Sequence, residues 1–300
     1  MKIPFRNIWS ILKKALTEWW EKDPFRESAI IAYYAIFALP GLLVVILTTA
    51  GYFFGNDAVN NHITAQFTST MGADTALQVQ NIIVQASKAK NSVLATIIGI
   101  IVMFAGATGV FAQFQKSLNT IWEVKIDDSK YGIWSFVRIR LFSFGLIVTI
   151  AFLLIVSLVI SALLAAFGHW LSGHFSDTFF VALQVVNFIL SFFILTVLFA
   201  LMFKFLPDAK IKWKHVWIGS IVTAFLFDLG KFGLVLYFGK LTPEIGYGAA
   251  GSIILIMLWV SYSSMIVFYG AEFTRAYADF ISGRVAPTEI AKTDIQPDSS

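Results

Sequence analysis

Long apolar runs separated by short polar stretches dominate the chain. Six reach the length needed to cross a hydrocarbon core of about 30 Å, which takes about 20 helical residues. They cover residues 28–54, 93–113, 141–167, 179–204, 215–238 and 249–271. The pattern predicts an all-α polytopic membrane bundle of six transmembrane helices, packed as one domain over residues 28–278.

The flanking segments carry different patterns. Between residues 5 and 22, Phe5, Ile8, Trp9, Leu12, Leu16, Trp19 and Trp20 recur at spacings of three and four, with Lys13, Lys14, Glu18 and Glu21 elsewhere. This predicts an amphipathic helix within residues 1–27, lying in the membrane interface with its tryptophans at headgroup level. It holds no uninterrupted apolar run, so no signal peptide is expected. In loop 55–92, Val79, Ile82, Ile83 and Ala86 share a helical face beside Gln78, Gln80, Asn81 and Gln85, predicting a helix that caps the bundle. Residues 279–300, with Pro287, Pro297 and the terminal serines, show no apolar pattern and are expected to form a disordered tail.

Composition decides between a buried soluble core and a membrane bundle. The 300 residues are 58% hydrophobic and 13% charged, where soluble domains run near 45–50% and about 25%. An integral membrane protein is the consequence. Cysteine is absent, which excludes thiolate chemistry, disulfides and cysteine-bound metals. The isoelectric point near 9.1 is explained by span-end lysines and arginines rather than by a nucleic-acid partner. Of the 22 lysines and arginines, 18 fall in the N-terminal arm, the second and fourth loops and the tail. Only Lys88, Lys90 and Lys240 fall on the opposite side, and Lys231 lies inside a span. The positive-inside rule then places both termini in the cytoplasm.

Four stretches carry a family resemblance: DPFRESAIIAYYAIFALPGLLVVIL (23–47), GATGVFAQFQKSLNTIWEV (106–124), FLPDAKIKWKHVWIGSIVTAFLFDLGKFGLVLYFG (205–239) and YGAAGSIILIMLWVSYSSMIVFYGAEFTRAYA (247–278). Together they resemble the YihY/BrkB family of bacterial inner-membrane proteins, a group once labelled ribonuclease BN. The resemblance implies six spans, cytoplasmic termini and a bacterial inner-membrane location. It also implies a link to virulence and to envelope-lipid transport, without a settled biochemical activity.

The candidate chemistry sits inside the spans. Asp228 and Lys231 lie three residues apart near the middle of the fifth, on one helical face. Isolated charges there cost at least about 2.5–3.5 kcal/mol, so pairing or hydration is expected. Ser220, Thr223 and Ala224 lie close to the same arc, and the face reads either as an ion pair between helices or as a polar cavity for a substrate headgroup or proton. Gln184, Asn187 and Ser191 share a face of the fourth span, suited to interhelical hydrogen bonds or to lining that cavity. Pro40 and Gly41 are expected to interrupt the first span, giving a kink or gate. Ala105, Gly106 and Gly109 favour close helix approach.

Beyond the second span, Gln113, Gln115, Lys116, Asn119 and Glu123 keep helical spacing, predicting that the helix extends out of the membrane to a polar mouth. Glu272 and Arg275 read as an interfacial surface pair, worth at most about 1 kcal/mol.

Catalysis finds no constellation. The histidines, His62, His169, His174 and His215, form no metal motif, and HExxH, GxSxG and P-loop patterns are missing. No enzyme activity, metal or cofactor is expected, and a ribonuclease is disfavoured. The leading expectation is a transporter or lipid-translocating protein with a polar site at Asp228 and Lys231, and membrane lipids as partners. The alternative is a non-transporting scaffold that contacts envelope proteins through loop 55–92 and the interfacial N-terminal helix. A hydrated cavity at Asp228 would favour the first, and a dry paired bridge the second.

Overall fold

The computed structural model describes residues 5–54, 60–61, 63–65, 68, 76–77, 79–81, 84, 93–126, 177–240, 251–288 and 291–293. The chain is mostly helical. Six long helices are described, namely α1 (Phe5–Glu21), α2 (Pro24–Phe54), α3 (Val93–Ile121), α4 (Asp177–Phe205), α5 (Trp213–Lys240) and α6 (Gly251–Ser282). Two short strands, β1 (Val124–Ile126) and β2 (Ala291–Thr293), pair antiparallel with Lys125 opposite Lys292. Among the described residues, three helical stretches are long and apolar enough to cross a membrane: Phe188–Phe205, Trp213–Leu234 and Ile253–Ser282. The expected span at 141–167 lies outside the described residues.

Local chemistry sets the helix starts. Between α1 and α2, Asp23 takes a φ of 52°, and its carbonyl accepts from the Glu27 amide. Pro24 opens α2, where a missing N–H costs nothing and φ is already helical. The helix then continues through Pro40 and Gly41 to Phe54, so the expected interruption does not occur. Buried Ala38 and Leu43 flank that point, and packing holds the helix across the one hydrogen bond that proline removes.

The chain divides into two compact units. The first comprises Met1–Glu18, Leu118–Phe225 and Tyr269–Ser300. In it, Ile11 and Ala15 of α1 are buried against Phe273 and Ala276 of α6. Residues 279–288 and 291–293 differ from the disorder expected of the tail. α6 runs to Ser282, the Lys210 amide donates to Ala286 at 2.9 Å, the Thr288 amide donates to Asp208 at 2.9 Å, and β2 completes the strand pair. Backbone pairing orders this segment, which hydropathy cannot register because it needs no apolar side chains.

The second unit comprises Trp19–Ser117 and Leu226–Phe268. Its core holds Leu43, Ile63, Val79 and Ile256, with Trp259 and Val260 packed against them. Residues 76–77, 79–81 and 84 are helical, and Val79 is fully buried. Here α2 and α3 approach closely, since a Cβ on Gly106 would lie 2.7 Å from the Ala38 amide nitrogen.

Candidate functional site

In the second unit, Asp228 and Lys231 sit one turn apart on α5, both half-buried. The Phe227 ring meets Trp259 edge-on at 6.3 Å, and Gly230 is overlain by Tyr262 and Ile266 of α6. Leu229, Phe232 and Leu236 are exposed. The charges therefore fall at the margin between the face packed on α6 and an apolar exposed face. Among the described residues, neither takes part in an ion pair within 4.0 Å or a hydrogen bond.

Ser220 and Thr223 belong to the first unit and are fully buried. The Thr223 hydroxyl donates to the Gly219 carbonyl at 2.7 Å, and the Thr274 hydroxyl donates to Gly270 at 2.7 Å. Thr223 also covers Gly270, while Thr274 covers Gly219. Each helix thus offers a glycine to the other's threonine four residues along, so the Thr223 side chain works in α5–α6 packing. Ser220 Oγ is buried with no hydrogen-bond partner among the described residues. Gln184 and Asn187 fall on α4, outside the residues whose side chains are described.

The largest charge assembly was not anticipated. Arg275, 7% exposed, faces Glu123 at 2.6 Å, Asp279 at 3.6 Å, Glu272 at 3.8 Å and Glu18 at 3.9 Å. It also donates to the Ile121 carbonyl at 2.8 Å. Glu272 is fully buried, so the surface pair expected of Glu272 and Arg275 is instead a buried hub. The reason is tertiary: α1 and the end of α3 close over α6. Glu123 reaches Arg275 from a left-handed backbone, φ 52°, that turns the chain from α3 into β1. The spacing of Glu272, Arg275 and Asp279 was visible in the sequence, but Glu18 and Glu123 come from distant segments.

Two further polar joints occur. In the second unit, the Glu27 carboxylate accepts from Gln113 and, at 2.7 Å, from Ser117. In the first, Asn119 donates to the Asp208 carboxylate and accepts from the Asp208 amide, both at 2.8 Å. Of the predicted polar mouth, Gln113 is therefore bonded to α2 and Asn119 to the segment after α4. His215, 1% exposed, bonds Ser282 at 3.1 Å beside the Tyr277 ring. Among the described residues no group of three or more His, Asp or Glu has metal-holding geometry.

These long apolar helices define an all-α integral membrane protein. Residues 15–291 match the family model described as Virulence factor BrkB, and the chain belongs to that family. It is 28% identical over 265 residues to a UPF0761 membrane protein of Saccharophagus degradans, covering 87% of this chain and 58% of that one. A UPF0761 membrane protein of Pseudoalteromonas atlantica is 26% identical over 255 residues, covering 83% and 80%. The chain thus spans little more than half the length of the first relative. No solved structure matches it.

Proposed function

We propose that this protein moves or exposes a small or lipidic anionic substrate across the bacterial inner membrane through a polar site at Asp228 and Lys231. The reading takes six spans with both termini cytoplasmic and α1 in the cytoplasmic interface, for which the lysine and arginine distribution is the support. One observation carries the functional step. The two intramembrane charges lie one turn apart at a half-buried margin, with no close ion pair to each other or to another described residue. A structural bridge would have consumed them, because a lone buried charge is what costs most. Lys231 is suited to meet a phosphate or carboxylate headgroup, and Asp228 lies one turn away on the same helix.

The test is transport of labelled lipid or solute in proteoliposomes. Asp228→Asn should lower the rate at least about tenfold while the protein stays inserted and folded. Unchanged transport would remove the pair from the mechanism and favour a scaffold working through loop 55–92. In that loop, however, Ile63 and Val79 are buried against this chain's own Leu43 and Ile256, which leaves less apolar surface for a partner.

A further inference from the structure

The charges of the Arg275 hub do not balance. The carboxylates of Glu18, Glu123, Glu272 and Asp279 all lie within 3.9 Å of one guanidinium. Glu18 and Glu272 approach the same terminal nitrogen, Nη1, at 3.9 and 3.8 Å. That nitrogen already donates to the Ile121 carbonyl at 2.8 Å. Lys14 brings an ammonium to 3.6 Å from Glu18, but its side chain is half-exposed, and water screens such a charge. Glu272, in contrast, is fully buried. Carboxylates that share a partly buried site do not all ionise at neutral pH, because each added negative charge meets those already there. The proton so retained belongs to the group rather than to one residue.

Three segments meet in the hub, and one of them is a separate helix. Glu272, Arg275 and Asp279 belong to α6, Glu123 reaches in from the turn before β1 at 2.6 Å, and Glu18 comes from α1 with the longest contact. α1 rests on α6 through a small apolar contact, Ile11 and Ala15 against Phe273 and Ala276. The Tyr269 hydroxyl adds a bond to the Leu12 carbonyl at 3.4 Å. Excess negative charge in the hub therefore works against the docking of α1, since Glu18 moves with that helix. Charged groups on the other neighbouring elements turn elsewhere. His215 of α5 meets Tyr277 and Ser282, and exposed Lys125 of β1 stands opposite Lys292.

We infer that the Arg275 hub is a proton-sensitive clasp, which fastens α1 to α6 while its carboxylates share a proton and frees α1 when that proton is lost. The clasp is independent of Asp228 and Lys231. A carboxyl that keeps its proton only in the docked hub contributes stability that is present at low pH and lost as pH rises through its folded value. One proton released on undocking weakens the docking equilibrium by about tenfold per pH unit in that window.

The chain has no cysteine, so a single cysteine at Ala15 reports undocking through its reaction with N-ethylmaleimide in the detergent-solubilised full chain. Ala15 is fully buried against α6, whereas Thr17 is exposed on the same helix. Dividing the rate at Ala15→Cys by the rate at Thr17→Cys at each pH removes the titration of the thiol itself. The ratio should rise about fivefold or more between about pH 6 and about pH 8.5. Glu272→Gln and, separately, Asp279→Asn should hold it within about twofold over that range, and the second variant carries the test if the buried Gln prevents folding. Glu21→Gln removes an exposed carboxylate of α1 outside the hub and should leave the rise intact. A ratio that does not change with pH in the parent background would overturn the clasp. So would an undiminished rise in the hub variants, or loss of the rise in Glu21→Gln, which would reduce the effect to net charge.

Discussion

Arg275 concentrates more charge than any other described residue, and its surroundings explain what its loss would do. Four carboxylates face it, one of them on fully buried Glu272. Removing the guanidinium leaves those carboxylates facing one another, Glu272 fully buried and Glu18, Glu123 and Asp279 only partly exposed. Arg275→Gln should cost about 3–5 kcal/mol, read as a lower melting temperature in detergent, and adding Glu272→Gln should recover part of the loss. Arg275→Lys should be intermediate, because one ammonium cannot span partners that the planar guanidinium meets with Nε and both terminal nitrogens. A variant that melts like the parent would show that the hub contributes nothing to the fold. Only the spacing of Glu272, Arg275 and Asp279 within one helix was legible in the sequence. Glu18 and Arg275 are far apart in the chain, and no local spacing announces that they meet.

At the level of elements, helix contacts depend on which glycine faces what. A Cβ on Gly270 would lie 2.8 Å from the Thr223 Cβ and closer still to its hydroxyl. A Cβ on Gly106 would instead meet the backbone of Ala38. Both Gly270→Ala and Gly106→Ala should destabilise by about 1–3 kcal/mol. Only the first should be relieved by truncating its neighbour: Thr223→Ala combined with Gly270→Ala should show a coupling of about 0.5 kcal/mol or more in a double-mutant cycle. Additive melting-temperature losses in that cycle would disprove the interlock. Gly106 was read correctly as a close-approach residue because small residues in spans have few other uses. The reciprocal arrangement of Gly219, Thr223, Gly270 and Thr274 was not, since its partners sit on two different helices. Hydropathy also stopped α6 at residue 271, whereas the helix reaches Ser282. Its last turns carry Glu272, Arg275 and Asp279, which lower the apolar average while hydrogen bonds and buried partners sustain the helix.

For the whole molecule, the cysteine-free sequence makes orientation directly measurable. Single cysteines at Thr17 and Ser87 should label from opposite sides of the membrane, Thr17 only after the cytoplasmic face is opened and Ser87 in intact cells from outside the inner membrane. Labelling of both from one side would refute the proposed topology. The sequence by itself determined that the chain lives in a membrane and is helical. Apolar length and unbroken runs are properties of composition and order, and in lipid every backbone group must be satisfied within a helix or closed barrel. Tertiary structure decided how the polar residues are used. It put Thr223 on packing, Glu27 on an interhelical joint, Asp208 on a joint between α3 and the segment after α4, Arg275 in a buried hub and Ala286, Thr288 and residues 291–293 on backbone pairing, while leaving Asp228 and Lys231 outside any close ion pair among the described residues. Those outcomes turn on distances of a few ångströms between segments remote in the chain, and burial and hydrogen-bond satisfaction are set only where such segments meet.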